Sequence, residues 1–213
     1  RRFVGANRED IRLTIGDHDK TDDKTGSLQL RFPKKIISHK HFNKPVSLNN
    51  DIGLVELDSP VNISHRIRHI CLPNIRFIDD NFEATIASWG RSPLNPTIKL
   101  SKVETMRNRI CMKKNTRYWN YKTLQPGQMC SQPKGNAKKC WAHRGAGVMI
   151  YENRHWILIG LASSDNGCGD YPRPQISTRI SEYIGWIKKN VKKATSCKDG
   201  SDSICMEVKP KGG

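Results

Sequence analysis

Residues with a capacity for chemistry gather in the stretch Cys140-Trp141-Ala142-His143-Arg144-Gly145-Ala146-Gly147-Val148, which leads into an apolar run, Val148-Met149-Ile150-Tyr151. A guanidinium stays protonated at any useful pH, so Arg144 cannot attack a carbonyl. Further on, Gly160-Leu161-Ala162-Ser163-Ser164-Asp165 offers two hydroxyls. A serine becomes a nucleophile only with a base beside it and an oxyanion hole around the carbonyl, and the sequence arranges neither for Ser163 or Ser164. His39 and His41 read as edge or surface histidines with no nucleophile nearby to activate. Asp17, Asp19, Asp22 and Asp23 put four carboxylates into seven residues, a density that could ligate calcium through oxygen. Lys24, Ser27 and Leu28 end that segment without further acid, so it reads as a solvated loop, and no metal or cofactor is expected.

The elements that must position these residues are mostly strands. Ile11-Arg12-Leu13-Thr14-Ile15 alternates with period two, and Leu28-Gln29-Leu30-Arg31-Phe32 and Lys35-Ile36-Ile37-Ser38-His39 read the same way. A short helix is expected within 107–117, with Arg109, Lys113 and Lys114 facing solvent. A longer one is expected over 181–193, where Ile180, Ile184, Ile187 and Val191 form one apolar stripe. Ser181 with Glu182 just inside makes its start, and Lys188, Lys189, Lys192 and Lys193 suit the negative end of its dipole. After Ala194 the chain turns polar, and residues 195–213 read as a separate tail closing a small Cys197–Cys205 loop before a disordered end.

Composition narrows the setting. The 213 residues carry 37 Lys+Arg against 20 Asp+Glu, a net charge of +17 that favours polyanions as partners. Seven cysteines without a Cys-x2-Cys pair point to disulfides in an oxidising compartment and away from zinc, and the odd number leaves one without an internal partner. That cysteine usage and the lack of a nucleic-acid motif argue against specific nucleic-acid binding. No run of 18 apolar residues is present, so no membrane helix is expected. Asn62-Ile63-Ser64 is a glycosylation sequon suited to a surface loop; Asn95-Pro96-Thr97 is excluded by its proline.

Taken together, the motifs resemble the trypsin-like serine proteases of the chymotrypsin fold. The resemblance runs from about Ile11 to Val191 and rests on several segments in order. Asn49-Asn50-Asp51-Ile52-Gly53-Leu54 is similar to the segment carrying the triad aspartate. Ile70-Cys71-Leu72-Pro73 is similar to the link between the two barrels, and Thr85-Ile86-Ala87-Ser88-Trp89-Gly90 to the strand opening the second. The loop before Val148 resembles the nucleophile loop Cys-x-Gly-Asp-Ser-Gly-Gly-Pro. The family's calcium loop resembles 17–26 only at its start.

The resemblance implies an all-β fold of two antiparallel six-stranded barrels, the first incomplete here, closed by a C-terminal helix, with the domain over 1–194. Asp51 inherits the triad aspartate position and Ser163 the serine that hydrogen-bonds it; Arg144 falls on the nucleophile. His143 replaces the aspartate that latches the activated amino terminus, and Ala142 replaces the oxyanion-hole glycine. Lys138 stands where the pocket-floor aspartate belongs, and Asp165 and Gln175 replace glycines that keep the pocket open. Cys111 with Cys130 and Cys140 with Cys168 match family disulfides. Cys71 becomes the odd cysteine, expected to bond a segment upstream of Arg1. The triad histidine would also stand upstream, since the chain opens on Arg1-Arg2-Phe3-Val4 with no signal peptide.

The function this implies is that of a secreted, inactive protease homologue, glycosylated at Asn62. It would act as a cofactor or decoy toward an extracellular protein, an active protease or its substrate, in a proteolytic or immune cascade. Lys188, Lys189, Lys192, Lys193, Arg109, Lys113 and Lys114 would form a heparin-binding face. The competing expectation is a residual hydrolase with a relocated nucleophile such as Ser163.

Overall fold

A computed structural model describes residues 8–18, 28–73, 81–89, 97–115, 123–134, 144–163, 174–191, 194–197 and 203–208. Four strands come first: β1 (Leu13–Ile15), β2 (Gln29–Arg31), β3 (Pro33–Ser38) and β4 (Gly53–Leu57). They form two antiparallel ribbons, β1 with β2 and β3 with β4, that do not join into a closed barrel among the described residues. A two-residue strand, β5 (Leu72–Pro73), links them to the C-terminal half of the chain.

That half closes. β6 (Glu83–Ser88), β7 (Lys99–Met106), β8 (Gln128–Pro133), β9 (Gly147–Glu152), β10 (His155–Ala162) and β11 (Gln175–Arg179) form a six-stranded antiparallel barrel in the order β10-β11-β8-β7-β6-β9. Period-two alternation dictates which residues fill it, since successive side chains point to opposite faces of a strand. Ala84 and Ile86 of β6, Val148 and Ile150 of β9, and Ile157 and Ile159 of β10 turn inward around Val103 and Met129. The mostly β architecture, the closed barrel and the closing helix are those of the chymotrypsin fold.

Helix α1 (Asn108–Asn115) lies between β7 and β8. Cys111 on α1 is bridged to Cys130 on β8, with Cα atoms 6.2 Å apart, and the pair is fully buried beside Met106 and Leu124. In the chain-entropy picture, closing a loop of this length stabilises the fold by about 3 kcal/mol. Cys140 and Cys168 lie outside the described residues.

The closing element departs from its expected start. β11 runs directly into a 3-10 turn, Ile180–Tyr183, and only then into α2 (Ile184–Asn190). Ser181 therefore lies inside the tight turn and does not cap it. Arg179 occupies the cap position without a side-chain capping bond, because a guanidinium has no acceptor to offer the turn's N–H groups; it donates instead to the carbonyls of Pro126 and Gln128. The apolar stripe holds: Ile180 and Ile187 are buried with Tyr183 against Ile52, flanked by Ile184 and Val191. β12 (Ala194–Cys197) and β13 (Ser203–Val208) pair antiparallel, and β13 also pairs with β5.

Candidate functional site

The seam between the N-terminal ribbons and the barrel carries the site. Ile52 anchors the seam by burying its side chain under the closing turn. Just before it, Asn50 accepts a hydrogen bond from the Tyr183 hydroxyl at 2.9 Å. A Cβ added to Gly127 would stand 2.3 Å from that same hydroxyl, so the barrel side of the contact requires glycine. Gln128, fully buried, reaches across to the Ser47 carbonyl at 3.2 Å. These bonds fix the backbone on either side of Asp51.

Asp51 is held from both ends. Its carbonyl accepts from the Thr178 hydroxyl at 2.8 Å, and its carboxyl shares a hydrogen bond with Ser163. Ser163 and Thr178 are each 1 % exposed, and their oxygens lie 2.9 Å apart. Each hydroxyl has one proton to donate. Thr178 spends its proton on the Asp51 carbonyl, so the one proton of Ser163 is divided among Thr178, the carboxyl and the Leu161 carbonyl at 3.4 Å. When the Asp51 carboxyl is neutral, its proton can go to Ser163, whose own goes to Thr178, and the ring is satisfied. When it ionises, Ser163 must turn its proton to the carboxylate. Burial raises the Asp51 carboxyl above its ordinary value of 3.8, while the Ser163 bond and the Arg144 guanidinium act in the opposite direction.

Two tests address this seam. Thr178→Val keeps the shape but removes the hydroxyl, leaving the Asp51 carbonyl and Ser163 without that partner; a cost of about 1–3 kcal/mol is expected in urea unfolding. Asp51→Asn should change the pH dependence instead. A carboxyl whose folded value is raised stabilises the fold fully below 3.8 and loses that contribution as pH rises through the folded value. The wild type should therefore lose stability relative to Asp51→Asn across that window. Parallel denaturation midpoints over the same range would remove Asp51 from the pH response.

Arg144 sits on an exposed turn ahead of β9. Gly145 follows it with φ +86°, a left-handed conformation that favours glycine. That turn is clipped to the end of β10: Gly145 N–H donates to the Ala162 carbonyl at 2.7 Å, and Ala162 N–H to the Ala146 carbonyl at 2.9 Å. The clip brings the Arg144 loop beside Ser163, and the guanidinium acts on the Asp51 carboxyl through space. Three positions that the resemblance gave to a catalytic site (Asp51, Arg144 and Ser163) are thus brought together. With Thr178 the set holds a carboxyl, a cation and two buried hydroxyls.

The His39 ring packs edge-on to Tyr183 at 5.6 Å and against Trp186 at 5.3 Å, with His41 at 5.9 Å. Burial, then His41 and Lys40, lowers its pKa. Gln175 is 2 % exposed in β11, opposite Ser131. Ala142, His143, Lys138, Asp165 and Ser164 lie outside the described residues, as does 19–27 of the acidic loop. Asn62 is exposed, with its backbone tied to the Gln29 side chain. Lys188 and Lys189 on α2, and Arg109, Lys113 and Lys114 on α1, are exposed; Lys192 and Lys193 are outside the described residues. Cys71, 4 % exposed, is disulfide-bonded. Sequence reasoning missed Thr178, Tyr183 and Asn50, whose roles depend on contacts across more than a hundred residues.

Comparison with known proteins agrees with the geometry. The family described as Trypsin matches residues 3–187. The human protein named transmembrane protease serine 11B is 29 % identical over 161 residues, covering 72 % of this chain and 38 % of the relative. The rat atrial natriuretic peptide-converting enzyme is 26 % identical over 194 residues, covering 89 % of this chain and 17 % of the relative. The chain thus spans less than two-fifths of the length of these relatives. Among the described residues no helix is long and apolar enough to cross a membrane.

Proposed function

The chain belongs to the trypsin family, and from that premise we propose that it keeps the scaffold and acts by binding, not by cleaving peptide bonds. Arg144 carries this reading. It stands on an exposed turn at the position that the resemblance gives to the nucleophile, and its permanent positive charge excludes attack on a carbonyl. The neighbouring hydroxyl gives no substitute, since Ser163 is buried and committed to the Asp51–Thr178 ring. A carboxyl that ordinarily orients a catalytic base here completes a structural hydrogen-bond ring.

The partner is an extracellular protein of a proteolytic or immune cascade, either an active trypsin-like protease or its protein substrate. The cysteine usage, the exposed Asn62 sequon and relatives named as transmembrane proteases support an extracellular setting. Exposed Lys188, Lys189, Arg109, Lys113 and Lys114 on a +17 chain support an added affinity for heparin-like polyanions. The test is to titrate the chain into a trypsin-like protease acting on a protein substrate and, separately, on a small peptide amide. A binding role changes kcat/KM for the protein substrate and leaves the peptide rate alone, and the effect weakens as salt rises. Equal rates on both substrates at every concentration would contradict the role.

A further inference from the structure

Three cysteines far apart in sequence fall into one row across neighbouring strands. In the β12–β13 ladder Cys197 stands directly opposite Cys205. In the β13–β5 ladder Ser203 pairs with Pro73 and Ile204 with Leu72, so the next step of the antiparallel register sets Cys205 opposite Cys71. Cys71 is fixed on its other side by β10: its N–H donates to the Trp156 carbonyl at 3.0 Å, and its carbonyl accepts from Leu158 N–H at 2.8 Å. The order across the row is therefore Cys197, Cys205, Cys71.

Spacing decides which pair can bond. Directly opposed residues in an antiparallel ladder have Cα atoms about 4.5–5.5 Å apart, inside the range a disulfide spans. Residues two strands apart are separated by about 9.5 Å, beyond that range. Cys71 is disulfide-bonded, Cys111 and Cys130 are bonded to each other, and Cys140 with Cys168 is the pair that the resemblance implies. We infer that Cys71 is bridged to Cys205, that this bond clamps the tail strand β13 onto the link between the two halves, and that Cys197 is the chain's odd thiol, placed to exchange with the clamp.

The exchange balances without an outside oxidant. The Cys197 thiolate attacks the Cys205 sulfur, a Cys197–Cys205 bond forms as the Cys71–Cys205 bond breaks, and Cys71 leaves as a thiolate that takes up the proton Cys197 gave up. The clamped isomer ties β13 to β5. The exchanged isomer closes the tail hairpin on itself and frees β13 from that tether. Burial of Cys71 makes its thiolate a poorer leaving group and so slows exchange out of the clamped isomer.

Disulfide mapping of the full chain, alkylated under native conditions and digested under quenched, non-reducing conditions, tests this directly. Cleavage after Lys198 separates Cys197 from Cys205. The expected map joins the Cys71 and Cys205 peptides and finds the alkyl group on Cys197. Relative to the wild type, Cys197→Ser should lose one free thiol, and Cys71→Ser should also lose one, because Cys197 and Cys205 then pair. Cys205→Ser should gain one, because Cys71 and Cys197 cannot reach each other. A wild-type map dominated by Cys197–Cys205 with Cys71 alkylated, or by Cys71 bonded to any other cysteine, overturns the clamp. Free Cys197 and Cys205 together in Cys71→Ser overturn the exchange. Should Cys71→Ser fail to fold, trace thiol catalyst at mildly alkaline pH replaces it: the wild type should yield some Cys197–Cys205 isomer and Cys197→Ser none, while its absence from the wild type sinks the exchange.

Discussion

Arg144→Ser should leave the chain without measurable amidolysis, at least about 10⁴-fold below what an intact triad supports, because removing one triad member already costs that much. A serine at this turn would lie near Asp51, yet that carboxyl is committed to Ser163 and cannot replace a histidine as base. Among the described residues, the His39 ring is turned onto Tyr183 and Trp186. Upstream of the turn, Ala142 adds a Cβ where the resemblance calls for glycine, and His143 cannot form an ion pair with an amino-terminal ammonium. Initial rates on arginyl and lysyl amides and on an activated ester check this. A family-level rate from the single substitution would mean that the rest of the machinery had been kept and Arg144 alone silenced it.

Ile86→Ala should cost about 2–5 kcal/mol, the range for removing a large aliphatic side chain from a packed core. Ile86 is 0 % exposed on β6, the strand that hydrogen-bonds to both β7 and β9 and so closes the barrel. Its loss opens space beside Val148, its direct partner on β9, three residues after the Gly145 turn. Leu100→Ala on β7 is the control: at 67 % exposure it should move stability by no more than about 0.5 kcal/mol. Urea midpoints with matched slopes give both values. Equal costs at the two positions would place the core elsewhere.

What the sequence made legible came from local spacing. Ile180, Ile184, Ile187 and Val191 recur at helical intervals, and the structure buries that stripe against Ile52. The strand readings over 11–15, 28–32 and 35–39 fall on β1, β2 and β3, since a strand's period of two needs no knowledge of its partners. Proximity across the chain was legible only through the resemblance, which put Asp51, Arg144 and Ser163 at one site. The Thr178 bond to Asp51 spans 127 residues and is written as an ordinary threonine in an ordinary strand. The start of the closing helix misled for a related reason. Ser181 has the right type for a cap, but Arg179 is anchored to Pro126 and Gln128, which brings β11 straight into the tight turn.

The most direct test of a binding-only domain is intact mass after exposure to a serine-directed fluorophosphonate. With Arg144 at the position that the resemblance gives to the nucleophile and Ser163 buried, the purified chain should keep its mass while an active trypsin in the same tube gains one adduct. A one-to-one adduct on this chain, lost after prior denaturation, would contradict the reading and reveal an activated serine.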